Sequence, residues 1–334
     1  NEPAATTFVN YLESWYQNEY LPNSTSSSTD AYYHWMIFNV IEPSLPDKER
    51  AVDDIDAEYL NALLACINQK NENTAASAYR FLRVFIKDRF EPDTGDYELF
   101  FQIKKYSVLE KDPVLYTPEQ LTCLLSAAKK DNTSHYLEYA LALYCGLKPG
   151  EILGLKYSDF NYQEQTVTIQ RICSLNDSGK NCQLKKLEGV KQNRSLKIPS
   201  FLFSELSARR KENRKLLTKY PSATGYKSYL CLGPTAKIKS VSTLGAALKT
   251  ITTEAGLPRL NMRDLRYMFA RFLLEQNFSL ETVSGILGHT KQTTTLAFCN
   301  RIPCTDPEVG AVVAGSLDPV LGAGKKEGKT CEKE

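Results

Sequence analysis

The sequence predicts an α-helical first domain followed by a mixed, mainly α second domain with a small antiparallel sheet. Three observations lead there. Apolar and aromatic residues recur at helical spacing through the first part, beginning with Phe8, Tyr11, Leu12 and Trp15. Two short runs further on, residues 165–170 and 195–199, alternate polar with Val, Ile or Leu as strands do. Charge divides with the pattern. Residues 1–103 carry 7 Lys and Arg against 17 Asp and Glu, and residues 104–334 carry 34 against 22.

Residues 7–20 make the first helix, and the Ser- and Thr-rich break at 23–28 closes it. Residues 29–41 are aromatic and helical in period. Pro43 and Pro46 end that helix, because proline has no N–H to continue it. Two more helices, 56–70 and 74–90, complete a bundle that occupies residues 1–103. In the last helix Arg80, Arg83 and Lys87 fall on one face, while Leu82, Val84, Phe85 and Ile86 supply the buried side. Two readings of that basic face stand open: a solvated surface, or a row of phosphate contacts on an otherwise acidic domain.

Residues 104–116 form a linker that holds Pro113 and mixes charge with isolated apolar residues. Thr117 then opens a new helix. It is a good N-cap, Pro118 sits at the first helical position, and Gln120 can close a capping box. The second domain is expected over 117–302. It holds an apolar helix at 134–145, the two strands, a long polar hairpin-like excursion at 176–193 and helices at 201–217, 243–254, 263–277, 280–287 and 291–299. A tail at 303–334 loses this density, and its last residues are small and charged, a composition that predicts disorder.

Composition excludes several classes. Of the 334 residues 42% are hydrophobic and 24% charged, as in ordinary globular proteins. No apolar run is long enough to span a bilayer, and no signal-peptide pattern opens the chain. The nine cysteines are scattered without a CxxC pair, so free thiols in a reducing cytoplasm are expected. Three histidines do not suggest a metal site. The first residue is Asn, which leads us to expect a trimmed or processed piece with a further module ahead of it.

The chemistry gathers in four stretches: Leu147-Lys148-Pro149-Gly150-Glu151-Ile152, Lys191-Gln192-Asn193-Arg194, Arg263-Asp264-Leu265-Arg266 and Leu287-Gly288-His289-Thr290. Thr294-Thr295-Leu296-Ala297-Phe298 follows the last. Cations that converge on one point suit a phosphodiester passing through a pentavalent, doubly charged transition state. Residues 180–215 hold 11 Lys and Arg against 3 acidic residues, which suits a loop lying along phosphates. Lys185, Lys186 and Arg194 are the expected contacts there.

In their order and separation these stretches resemble the tyrosine recombinase (phage integrase) family over residues 117–302, and the preceding bundle resembles its core-binding domain in layout. Within the family the resemblance is to the integrases of mobile elements, the conjugative-transposon type. The resemblance implies that a tyrosine hydroxyl attacks the scissile phosphate and leaves a 3′-phosphotyrosyl link, with no metal or nucleotide cofactor. It implies duplex DNA at specific recombination sites as partner, a homo-oligomer on DNA that is a tetramer in synapsis, and a cytoplasmic location, nucleoid-associated in a bacterium. Arg266 matches the family's second arginine, whose planar fork grips two phosphate oxygens. His289 matches its second histidine, and Lys191 its hairpin lysine, the general acid, with Lys185 and Lys186 as rivals.

Three positions depart from the pattern. Arg263 stands where the family has a histidine, and an arginine supplies charge but cannot shuttle a proton near neutral pH. Lys148 replaces the first arginine, keeping the charge and losing the fork. Phe298 stands where the nucleophilic tyrosine belongs and has no oxygen to attack phosphorus. Both Lys148 and Phe298 preserve shape and remove function. The expectation is a chain that binds DNA without cleaving it, either an engineered inactive form or a natural pseudo-enzyme. Its rivals are a non-catalytic regulator or architectural protein on the same fold, and a helical interaction protein that does not bind DNA.

Overall fold

The computed structural model describes residues 6–24, 27–89, 99–108, 112–130, 135–175, 182–187, 189 and 192–299. The tail expected at 303–334 and the general-acid candidate Lys191 lie outside these. The chain divides near residue 111 into two compact units.

The first unit is helical. Helix α1, Phe8–Ser14, starts at Thr7, whose Oγ1 accepts a hydrogen bond from the Asn10 N–H at 3.4 Å. It widens into a π-helical turn, Trp15–Tyr20. Helix α2, Ser27–Trp35, widens in the same way over Met36–Ile41. Both were expected as plain α-helices over their full length. The adjacent Trp15 and Tyr16 are both buried, as are Met36 and Ile37. A regular α-helix would turn such neighbours about 100° apart, and a wider turn eases that conflict. Trp15 packs edge-on to Phe81 and Phe85, and its Nε1 donates to Asp88 Oδ2 at 2.7 Å. Helix α3 runs Ala57–Lys70, α4 Glu72–Arg89 and the short α5 Leu99–Gln102. Leu60, Leu63, Leu64, Phe81 and Leu82 close the core between them.

The second unit opens with helix α6, Pro118–Lys130. The capping box forms: the Thr117 N–H donates to Gln120 Oε1 at 2.9 Å, and the Gln120 N–H to Thr117 Oγ1 at 3.3 Å. Helix α7, Tyr136–Cys145, is the centre of the unit and is buried on nearly every side, which explains its apolar composition. Its one charged residue, Glu138, is fully buried. Both Glu138 oxygens accept from Arg209, at 2.8 and 2.9 Å, and Oε1 also accepts from Lys239 Nζ at 2.8 Å. Burial would raise the carboxyl, but Arg209 and Lys239 outweigh it and hold the group well below the usual carboxylate range. Glu138→Gln would remove the buried negative charge that two buried cations share. A loss of about 3–5 kcal/mol is expected, measured by urea denaturation.

Helix α8, Pro149–Gly154, follows. Strands β1, Phe160–Asn161, β2, Thr166–Ile169, and β5, Arg194–Lys197, make an antiparallel sheet in the order β1-β2-β5, with Val167 opposite Leu196 and Thr168 opposite Ser195. The polar excursion between β2 and β5 carries its own two-stranded ladder, β3, Arg171–Leu175, and β4, Cys182–Lys186. Helices α9, Phe201–Lys219, α10, Val241–Glu254, α11, Met262–Glu275, α12, Leu280–Leu287, and α13, Gln292–Cys299, complete the unit. Leu121, Leu141, Ile152, Val167, Ile198, Leu244, Leu265 and Leu287 share one core.

Cys66, Cys123, Cys145 and Cys231 are free. Cys173 departs from the expectation and is disulfide-bonded. Spacing along a chain carries no information about which sulfurs meet across a fold. Among the described residues no helix is long and apolar enough to cross a membrane.

Candidate active site

Three helix ends converge in the second unit. The first is the turn from α7 into α8. Gly146 takes a left-handed φ of 61°, and a Cβ there would lie 2.3 Å from the Phe269 ring. Only glycine meets both demands. Lys148 follows in extended backbone as the N-cap of α8, with Pro149 at the first helical position. The Lys148 N–H donates to Glu151 Oε2 at 2.9 Å, which folds the buried Glu151 back over the helix start.

The second is the start of α11. Asn261 Oδ1 accepts from the N–H groups of Arg263 and Asp264, at 2.8 and 3.2 Å, and the Asn261 N–H donates to Asp264 Oδ2 at 2.8 Å. This reciprocal cap fixes the first turn. Arg263 is exposed on it, with its guanidinium 5.4 Å from the centre of the Tyr267 ring. Arg266, one turn on, points inward and is buried.

The third is the end of α12. Gly288 has a φ of 64°, the Gly288 N–H donates to the Gly285 carbonyl, and the His289 N–H donates to the Ser284 carbonyl, both at 3.0 Å. The reversal turns His289 into the interior, where it is buried.

Arg266 joins all three ends. It donates to the Gly146 carbonyl, to the Leu287 carbonyl at 2.6 Å and to His289 Nε2 at 2.9 Å. A guanidinium only donates, so Nε2 carries the lone pair and Nδ1 the proton. Nδ1–H then donates to Thr295 Oγ1 at 2.9 Å, a fully buried hydroxyl on α13. His289 is thereby held neutral in one tautomer. Burial first, then the charges of Arg266, Lys148 and Arg194, push its imidazole down to about 4.

The same crowding acts on the cations. Burial lowers Arg266 to about 10, opposed by Glu151 and assisted by Arg194 and Arg263. The Lys148 ammonium is also lowered, by burial first, with Glu151 opposing and Arg266 and Arg194 adding to it. Three cations around one carboxylate leave an excess of positive charge in a poorly hydrated place. Such a site favours an anion over water. Among the described residues no three of His, Cys, Asp and Glu come together as a metal-ligating group.

The structure thus brings together Lys148, Arg266 and His289, and leaves Arg263 exposed at the first turn of α11. Phe298 lies on α13, three residues beyond Thr295, and its side chain is outside the described residues. Arg80 and Lys87 are exposed on α4, and Arg83 is half-buried with Nη1 donating to the Tyr79 hydroxyl at 3.1 Å. Val84, expected on the buried side, is instead exposed and lines an open groove of about 520 Å³ with Arg83, Lys87 and Asp88. Lys185 and Lys186 end β4, the first half-buried and the second exposed.

Arg194 is placed differently from expectation. Its side chain is 7% exposed and forms a two-pronged ion pair with Glu151, both N···O distances 3.0 Å. Sequence reasoning saw a cation in a basic loop and missed a partner 43 positions away. It also missed Thr295, whose only signal was its place between His289 and Phe298.

Residues 115–301 match the phage integrase family profile. Among curated proteins the chain is similar to a "Tyrosine recombinase XerC-like" protein of Caldanaerobacter subterraneus subsp. tengcongensis, 27% identical over 201 residues. The alignment covers 56% of this chain and half the length of that relative. Among solved structures it is similar to a Tn1549 transposon integrase in complex with transposon right end DNA, with a TM-score of 0.66, 16% identity and coverage of 94% of this chain and 100% of the other. It is also similar to a lambda integrase tetramer bound to a Holliday junction, with a TM-score of 0.60, 17% identity and coverage of 90% and 80%. These likenesses agree with the expected fold, helices around small antiparallel sheets.

Proposed function

The chain belongs to the phage integrase family, and on that premise we propose that it is the site-specific DNA recombinase, or integrase, of a mobile genetic element. The sequence as it stands holds that activity at the DNA-bound stage, because position 298 carries no hydroxyl. One observation carries the reading: residues from three separate stretches, Lys148, Arg266 and His289, meet around Glu151 in a cluster with surplus positive charge. Arg266 and Lys148 would take the non-bridging oxygens of the scissile phosphate. Lys191, three positions ahead of Arg194 in the sequence, would protonate the leaving 5′ oxygen. Arg263, exposed beside the cluster, would add charge from the rim.

The first unit would act as the core-binding domain and present Arg80, Arg83 and Lys87 to the backbone of duplex DNA, with Lys185 and Lys186 serving the second. Arg83, Val84 and Lys87 flank one groove, which suits a phosphate run with a sugar or methyl group between the cations. The likeness to a lambda integrase tetramer on a Holliday junction supports assembly of four protomers on DNA. The setting is cytoplasmic, at the nucleoid in a bacterial host. The departures at 148 and 298 favour a second reading, a DNA-binding regulator that keeps the fold without the reaction.

Both readings require salt-dependent binding to duplex DNA. Affinity should fall about 10³–10⁵-fold between 50 and 200 mM salt for six to ten phosphate contacts. Arg80→Ala and Lys87→Ala should each weaken binding and reduce the salt slope by about one. Mobility-shift titrations across salt concentrations measure both. A chain that fails to retard duplex DNA at low salt is neither recombinase nor regulator.

A further inference from the structure

We propose that Arg194 is a positioning residue that clamps Glu151 to the turn at 286–288 and so fixes the separation of Lys148 and His289. The proposal rests on the reading of this cluster as a phosphate cradle. The donors of Arg194 are largely committed inside the protein. Nη1 and Nη2 hold the two oxygens of Glu151 at 3.0 Å, Nε donates to the Ile286 carbonyl at 2.7 Å, and Nη1 also reaches the Gln192 carbonyl at 3.2 Å. Of five guanidinium N–H groups, about one is left for anything else.

Each grip of Arg194 leads to a residue of the cluster. Through Glu151 it reaches Lys148, whose backbone N–H donates to the same carboxylate. Through Ile286 it reaches the turn that ends in His289. A Cβ on Gly288 would lie 2.5 Å from Arg194 Nη1, so the guanidinium lies against the residue that precedes His289. Gly288 is therefore required twice, for its positive φ and for the space Arg194 fills. Arg194 itself is anchored by β5, where it pairs with Ile169 of β2. The sheet sets one end of the clamp and the guanidinium fork sets the other.

The clamp also has an electrostatic consequence. A buried carboxylate must be paired, and Glu151 without Arg194 would draw on Lys148 or Arg266. With Arg194 in place, Glu151 is neutralised from behind, and the other two cations are left to serve an incoming anion. A lysine at 194 could not reproduce this, because a single ammonium cannot span two carboxylate oxygens and a carbonyl in fixed directions.

The test compares the full chain with Arg194→Lys and with the double variant Arg194→Met, Glu151→Gln. The double variant replaces the ion pair with neutral groups of similar shape, and keeps the experiment decisive where the single variant does not fold. Two quantities are read below the melting transition: the imidazole nitrogen resonances of His289 by NMR, and the salt slope of binding to duplex DNA. Clamping predicts displaced His289 resonances in both variants and a salt slope unchanged from the parent. A phosphate contact instead predicts, in the double variant that removes the cation, a slope lower by about one with His289 resonances in place, and that outcome overturns the proposal. Unmoved resonances with an unmoved slope overturn it as well. A parent that does not bind DNA defeats the functional reading, while the His289 readout still decides the role of Arg194.

Discussion

Placing a hydroxyl at position 298 and a fork at position 148, by Phe298→Tyr with Lys148→Arg, is expected to give a chain that joins covalently to its proposed DNA site. The tyrosyl oxygen would form a bond to phosphorus, the bond from phosphorus to the 5′ oxygen would break, the tyrosine would give up its proton, and the leaving oxygen would take one. Phenylalanine supplies neither oxygen nor proton. Phe298→Tyr alone should therefore give a slow adduct. Lys148→Arg should add about a hundred- to a thousandfold, the usual worth of one well-placed donor to a charged transition state. The Lys148 ammonium is half-buried and lowered chiefly by burial, so the native lysine is a weaker partner for a phosphate than a guanidinium held in the same place. The measurement is an SDS-resistant protein–DNA adduct on a nicked suicide duplex that carries the cognate site. A double variant that binds this duplex as tightly as the parent and forms no adduct is a regulator, and the recombinase proposal falls.

How much of this was written in the sequence depends on the range of the interactions involved. The cap of α6 was legible because Thr117, Pro118 and Gln120 act within one turn. Strands β2 and β5 were legible because an alternating pattern survives a half-buried sheet. The π-helical turns were not, since apolar spacing does not distinguish a regular helix from one with a single widened turn. In the site, Arg266 and His289 stood out through the spacing of their stretches, and their contact follows. Arg194 could not be read correctly. A cation in a polar, Lys-rich loop looks available to phosphates, and only the fold brings Glu151 beneath it. Gly288 gave a better signal than it seemed to. A glycine that ends a helix just before a histidine marks both the left-handed turn and the crowding that the turn has to admit.

Arg266→Met tests the contact on which the site depends, and the expected result has two parts. In the Phe298→Tyr, Lys148→Arg background, adduct formation should fall by at least about a hundred- to a thousandfold, because the charge proposed to meet the non-bridging oxygens is gone. In the parent chain the same change should flatten the pH dependence of stability in mild acid. His289 titrates near 4 when folded and near 6.5 when unfolded. Between these values the unfolded chain binds a proton that the folded one refuses, so this histidine's contribution is fully present above about pH 6.5 and is lost as pH falls toward 4. Burial is the first cause of the depression and the Arg266 charge the second, so removing Arg266 should raise the folded value part of the way and narrow the window. The Gly146 and Leu287 carbonyls also lose a donor, at a general cost of about 1–3 kcal/mol for each group left unsatisfied. Urea denaturation of parent and Arg266→Met chains at pH 4.5 and pH 7 separates the effects. The general cost lowers stability at both pH values, and the histidine effect makes the loss on acidification smaller in the variant. Equal losses on acidification would show that Arg266 does not hold His289 in its neutral form.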